Sequence, residues 1–265
     1  MVKKVFRYCY LGLILAFLYI PFLRVIVSSF NGGEKTAVMA GKWGGFSLRW
    51  YQDLFTSRAS ESVFHALYIT ILVAVIAAIL STILGTLAAI GIHGMRKRPQ
   101  NLISNITYIP VINPEIVTGV SLMVLMTALS LPRGLLTMIL AHITFDVPYV
   151  IFSVLPKLNQ MDSHLYEAAL DLGATPWVAL RKVILPEIRP GIITGAIFAF
   201  TLSFDDFVIS FFTASASGVD NLSMYIYSEL KVGISPRINA LMAIIFVAIL
   251  TLLIIVNKRS ADELY

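Results

Sequence analysis

Four carboxylates, Glu115, Asp146, Asp205 and Asp206, lie inside long apolar runs of this chain, set against a single basic residue at comparable depth, Arg24. An acid in hydrocarbon costs about 2.5–3.5 kcal/mol on insertion scales, so each must face protein or a water-filled cavity. Acids without matching intramembrane bases read as a path for cations, by charge complementarity. The rings of Phe200, Phe204, Phe207, Phe211 and Phe212, with Tyr108 and Tyr149, could add faces that attract amines. The same rings serve equally well as core or lipid-facing packing. Adjacent helical residues point about 100° apart, so Asp205 and Asp206 cannot face one cavity equally. One is expected to line the path and the other to bond a neighbouring Ser, Thr or helix end; Asp206 is the first choice for meeting an ammonium and Asp205 the second. Glu115 follows Pro114 and Asp146 precedes Pro148. Each is therefore either a path ligand or a partner for backbone groups freed where proline breaks a helix. His65 and His142 lie near the ends of apolar runs and His93 and His164 in polar connectors, without ligand spacing, so core or surface roles are expected and no metal site.

The elements that must position these groups follow from composition. A chain of 265 residues that is 58% hydrophobic and 13% charged, with mean hydropathy +0.83, would expose large apolar patches as a soluble domain. It reads as an all-α integral membrane protein in one domain, 1–265, with six spans at about 8–30, 63–92, 102–129, 135–155, 190–213 and 238–256. Lys3, Lys4 and Arg7 precede the first run, which lacks the short apolar core and small-residue site of a cleaved leader, so it is expected to be retained. Arg24 would snorkel from its outer end. Within FSLRWYQDLF, the residues Leu48, Tyr51, Leu54 and Phe55 recur at helical spacing near Trp43 and Trp50, as in an interfacial helix or an ordinary amphipathic loop helix. The single cysteine, Cys9, permits no intrachain disulfide.

Basic residues set the orientation. Lys3, Lys4 and Arg7, then Arg96, Lys97 and Arg98, then Lys157, Arg181, Lys182 and Arg189, then Lys258 and Arg259 fall on one side, while fewer are spread over the longer loops of the other. By the positive-inside rule both termini and the connector at about 157–189 are cytoplasmic. That connector holds the polar island EAALDLGATPWVALRKVILP, Glu167 to Pro186. Glu167–Leu172 reads as a short helix, Gly173 as the φ > 0 corner ending it, Thr175 as an N-cap with Pro176 at the first helical position, and Trp177–Leu185 as a second short helix stopped by Pro186. Two short helices at an angle make a knob that a socketed partner can push.

The island resembles the cytoplasmic EAA loop of ABC-importer permeases: Glu167, Ala168, Ala169, Gly173, Leu185 and Pro186 match its pattern, and Val183 replaces the usual Ile. The order of spans and the stretches FSLRWYQDLF, AHITFDVPYVIFSV, FTLSFDDFVIS and KVGISPRINAL extend the likeness along almost the whole chain, which is similar to permeases of spermidine/putrescine ABC importers of the PotC type. The resemblance implies a type I importer (MetI-like) fold in a bacterial plasma (inner) membrane and a polyamine substrate. It also implies a homologous second permease (PotB type), two cytoplasmic ATPase subunits (PotA type) and an extracytoplasmic polyamine-binding protein (PotD type). Glu167, Ala168, Ala169 and Gly173 would dock in the ATPase cleft, and Asp205, Asp206, Glu115, Asp146, Phe204 and Tyr149 are candidates for the substrate path.

Three classes remain open on sequence: a subunit driven by another protein's ATP, an ion-coupled secondary transporter, and a receptor or scaffold. The chain contains no GxxxxGK[ST], HExxH or GxSxG motif, so neither ATP hydrolysis nor hydrolytic chemistry is assigned to it, and ATP and Mg would bind partner subunits. A secondary transporter would bring inverted repeats and have no use for the knob. A scaffold leaves the intramembrane acids unexplained. Within the first class, an importer of another small cation or solute is the alternative, because the knob is common to many substrates. Nothing points to nucleic acid.

Overall fold

Glycine, proline and charge punctuate the apolar runs, and helices fill the spaces between them. In the computed structural model, which describes residues 2–39, 41–56, 58–162, 164–214, 218–232 and 235–262, the elements begin with α1 (Val2–Ser29), α2 (Lys35–Met39), α3 (Arg49–Thr56) and α4 (Arg58–His93). They continue with α5 (Lys97–Ile112), α6 (Glu115–Ala128), α7 (Leu135–Gln160), α8 (His164–Asp171) and α9 (Pro176–Ala179), then a π-helical turn at Leu180–Ile184. The chain closes with α10 (Leu185–Glu187), α11 (Arg189–Asp205), α12 (Val208–Ala214), α13 (Leu222–Val232) and α14 (Pro236–Asp262). Three helical stretches, 6–29, 61–93 and 135–160, are each long and apolar enough to cross a bilayer alone, or up to five stretches if each bent pair counts as one. The last helix, α14, is 27 residues long and begins with the apolar stretch Pro236–Thr251.

The third and fifth expected spans are not straight. Asn113 and Pro114 are extended between α5 and α6, and the axes turn by 105° there. Proline disfavours helical geometry in the residue before it and has no N–H to continue a ladder. In the fifth, α11 ends at Asp205 and a new helix begins at Val208. By contrast α7 runs unbroken past Pro148 and Pro156 to Gln160, beyond the expected end at Leu155.

The chain divides into two compact units, residues 1–64 with 226–265, and residues 65–225. In the first, α1 packs along α14, where Phe22 stacks on Phe246 at 5.7 Å. The loop after α1 is pinned by Asn31, whose side-chain oxygen accepts from Gly33 N (3.1 Å) and Gly44 N (2.8 Å) and whose carbonyl accepts from Trp50 Nε1. Helix α3 buries Trp50 and Leu54, leaving Leu48 and Phe55 exposed. Its buried stripe is thus an anchor to its own unit, which is the loop-helix reading of FSLRWYQDLF. Arg24 is exposed.

In the second unit α7 is the central element, with α11 packed along it. The approach is close because Gly191 faces α7: a Cβ there would meet Ser153 O at 2.7 Å. Small residues at such crossings are how membrane helices gain packing contacts where no hydrophobic effect is available. Val150, Val154, Leu158, Ile184 and Ile188 form the core where α7, α11 and the polar connector meet.

Orientation is an expectation with a direct check. Side chains of Lys3, Lys4, Lys258 and Arg259 lie outside the described residues, whereas Arg96, Lys97 and Arg98 sit together at the start of α5. In a variant without Cys9, a cysteine at Arg98 or at the exposed Leu172 should react with impermeant reagents only from the cytoplasm, and one at Gly218 only from outside. Reaction of any of them from the other face would remove the six-span topology.

Candidate functional site

Both helix breaks open on one cavity. It has a volume of about 360 Å³ and is lined by Asn113, Glu115, Phe145, Tyr149, Asp205 and Asp206, among others. Glu115 is the first residue of α6, where the positive end of the helix favours a carboxylate, and it is exposed. Asp205 is the last residue of α11 and is also exposed. Tyr149 is half-buried on α7, one turn from Phe145, and the two rings lie 5.3 Å apart. Two separate helix breaks thus present acids to a space partly walled by aromatic side chains.

Asp206 behaves differently from its neighbour. Its backbone is extended (φ −61°, ψ 133°) and its side chain is fully buried. One carboxylate oxygen accepts from Ile209 N (3.1 Å) and the other from Ser210 N (2.8 Å) and Ser210 Oγ (2.7 Å). These are the orphan donors at the start of α12, so Asp206 caps the second half of the broken span. Asn221 extends the arrangement, giving hydrogen bonds to Asp206 O (2.9 Å) and Ser210 Oγ (2.8 Å) and accepting one from Met224 N (2.9 Å). Asp206, the first choice from the sequence, is thus tied into the cap and buried, and Asp205 is the exposed member of the pair; both line the cavity.

His142 has a core or surface role in the sequence reading but no place beside the acids. It lies in α7 and is fully buried, with Nδ1 2.8 Å from Met138 O and Nε2 3.2 Å from Asp206 Oδ2. The acids are thus not set against Arg24 alone, as the count of arginine and lysine suggests, because an imidazole faces the most buried member of the pair. A signal was available in the HITFD stretch, which places His142 and Asp146 four residues apart on one helical face.

Asp146 and Phe204 are not among the side chains lining the cavity. Asp146 is fully buried and accepts from Ser203 Oγ at 2.7 Å, tying α7 to α11. Its bonded partner is that serine, and α7 continues through Pro148. Phe204 stacks on Phe200 at 5.7 Å. Among the described residues no cluster of metal-ligand type occurs.

The polar connector folds as its turn chemistry dictates up to its second helix. Helix α8 ends in a Schellman arrangement, with Gly173 N donating to Leu170 O (2.9 Å) and Ala174 N to Ala169 O (3.0 Å), and Gly173 takes φ +84°. Thr175 Oγ1 accepts from Val178 N at 3.4 Å, with Pro176 opening α9. Glu167 is exposed beside His164 (3.6 Å), Ala168 is exposed, and Leu172 stands 90% exposed at the corner. The second helix does not stop at Pro186. It widens into the π-helical turn, with Leu185 N bonding Leu180 O, and runs on to Glu187 before Ile188 and a 69° bend into α11. A five-residue turn moves the preceding carbonyl away from the ring of Pro186, removing the clash that ends an ordinary helix.

Residues 81–261, which contain the cavity acids, the buried pair and the whole connector, match the family described as binding-protein-dependent transport system inner membrane component. The chain belongs to this family. It is 35% identical over 263 residues to the spermidine/putrescine transport system permease protein PotC of Escherichia coli (strain K12), covering 99% of this chain and 97% of that protein. Identity to the protein of the same description from Haemophilus influenzae is 35% over 249 residues, 94% of each chain. The putrescine transport system permease protein PotI of Escherichia coli (strain K12) is 38% identical over 255 residues, 94% of this chain and 88% of that one. As a member of the family the chain is a multi-pass membrane component of a transport system, a permease whose task is passage rather than catalysis, and it works with other subunits. The ion-coupled and scaffold readings are thereby set aside.

Proposed function

We propose that this permease forms the path by which polyamines of the spermidine and putrescine class enter the cytoplasm in an ATP-driven importer. The observation that carries the proposal is the pair of exposed carboxylates, Glu115 and Asp205, brought from two helix breaks to one cavity beside Tyr149 and Phe145. Linear polyamines carry separated ammonium groups joined by methylenes, and a space offering two acids and aromatic faces suits both parts. The names of the relatives support the same substrate class. In this reading Asp205 and Glu115 meet the ammonium groups, Asp206 holds the turn that presents Asp205, and Asp146 and Phe204 support from behind.

The complex would comprise a second permease of similar fold, two cytoplasmic ATPase subunits that bind ATP and Mg, and an extracytoplasmic polyamine-binding protein, in a bacterial plasma membrane with both termini cytoplasmic. The connector at Glu167, Ala168, Ala169, Gly173, Leu185 and Pro186 would seat in the ATPase and carry its motion inward. Uptake of labelled spermidine and putrescine, in cells carrying the complete system or lacking this chain, tests the substrate. Saturable uptake that depends on the chain and that either unlabelled polyamine suppresses is expected. Uptake indifferent to the chain, or competed equally by unrelated solutes, overturns it. A solute importer of other specificity is the second reading, favoured only by the connector, which is indifferent to cargo.

A further inference from the structure

The buried group that the path itself does not use is His142. Its two ring nitrogens both face acceptors: Met138 O can only accept, so Nδ1 carries a proton, and Nε2 faces Asp206 Oδ2. Asp206 already receives two backbone N–H groups and the Ser210 hydroxyl, which is the pattern of an ionised carboxylate and leaves it no proton to give. Nε2, 3.2 Å from Oδ2 and 3.5 Å from Ser210 Oγ, is placed to donate to that carboxylate as well. Donation from both nitrogens would make the ring a cation beside the carboxylate, with both side chains fully buried.

We propose that His142 is a positioning residue for translocation: as the cation paired with Asp206 it keeps that carboxylate committed to capping α12, which fixes the turn that leaves Asp205 facing the cavity. The claim rests on the reading of Asp205 as a substrate ligand. The geometry supports it in three ways. Asp205 ends one half-helix, Asp206 caps the next, and one residue, Phe207, separates Asp206 from α12, so the orientation of Asp205 depends on where Asp206 is held. Asn221 secures the Asp206 carbonyl and the Ser210 hydroxyl from the side of α13, so the turn is gripped from α7 and from α13 together. Without the imidazole the buried carboxylate keeps its three donors but loses its counter-charge, which weakens its hold on the turn beside the cavity that it lines.

The test is a pair of substitutions in the complete complex. His142→Leu leaves Asp206 charged without its counter-charge, while His142→Leu with Asp206→Asn removes the charge and keeps a side chain that caps well without a cation. For labelled spermidine, His142→Leu is expected to raise KM at least tenfold with Vmax and assembled complex within about threefold of wild type, and the double variant to return KM to within about threefold. A separate readout needs no substrate: with Cys9 replaced by Ser, a cysteine at Asp205 should change its rate of reaction with a cationic thiol reagent at least fivefold on His142→Leu and recover in the double variant. Absence of spermidine uptake in wild type would defeat the substrate reading while leaving the cysteine result to decide the positioning role. A His142→Leu complex with wild-type KM and labelling, or a double variant no better than the single or unable to assemble, overturns the proposal.

Discussion

Asp205→Asn should lower polyamine uptake by ten- to several-hundred-fold while the complex still assembles and retains its basal ATP hydrolysis. The change keeps size and shape and removes one negative charge from a half-open cavity where the remaining exposed acid is Glu115. A charge-assisted bond from an ammonium to a carboxylate is worth roughly twice a neutral one, and at low local dielectric the Coulomb part grows further. A loss of this size corresponds to roughly 1.4 to 3.5 kcal/mol of stabilisation in passage, at 1.4 kcal/mol per factor of ten. Asp205 is exposed where Asp206 is buried in its cap, so little structural cost should accompany the change. Measured uptake, complex yield and basal hydrolysis decide the matter together. Normal uptake by Asp205→Asn, or a loss that simply tracks failed assembly, would mean this carboxylate does not meet the substrate.

Gly173→Val should disconnect ATP hydrolysis from transport, reducing uptake and substrate-stimulated hydrolysis at least tenfold at near-normal membrane levels. The backbone at Gly173 has φ +84°, and no neighbouring atom lies within 4 Å of where a Cβ would stand. The penalty is therefore one of backbone conformation, roughly 1–2 kcal/mol for an ordinary residue and greater for a β-branched one. Relief comes by moving the corner, which splays α8 from α9 and takes Glu167 and Ala168 out of register with whatever receives them. Gly173→Ala should do the same to a smaller degree, and Glu167→Lys should reproduce the loss by charge without altering the corner. If Gly173→Val supported wild-type uptake and stimulated hydrolysis, the connector would not be the coupling element.

Local chemistry made the connector readable. A glycine at a helix end and a threonine followed by proline dictate their turns within a few residues, and the Schellman bonds and the Thr175 cap follow from them. The π-helical turn escaped because no single residue type demands one. Long apolar runs marked where helices lie but not whether they are straight. Pro114 flagged its break, whereas the DDF stretch at 205–207 contains neither glycine nor proline and reads as continuous helix. What ends α11 there is a cap for the following helix, and an aspartate four residues before Ser210 is too common a pattern to signal this unaided. The pairing of His142 with Asp206 joins α7 to the turn between α11 and α12, a long-range contact that spacing along the chain does not reveal.

The 69° bend at Ile188 would let the helix that follows it act as a lever. Ile188 is fully buried between α10 and α11, a pivot held by Val154, Leu158 and Ile184, and Asp205 is the last residue of α11. Seventeen helical residues make an arm of about 25 Å. A tilt of about 10° about the pivot would carry the far end about 4 Å, more than the length of an ammonium–carboxylate hydrogen bond. Force applied at the connector would need only a small angular stroke to release a cation at the other end, with no change in the chemistry of either site.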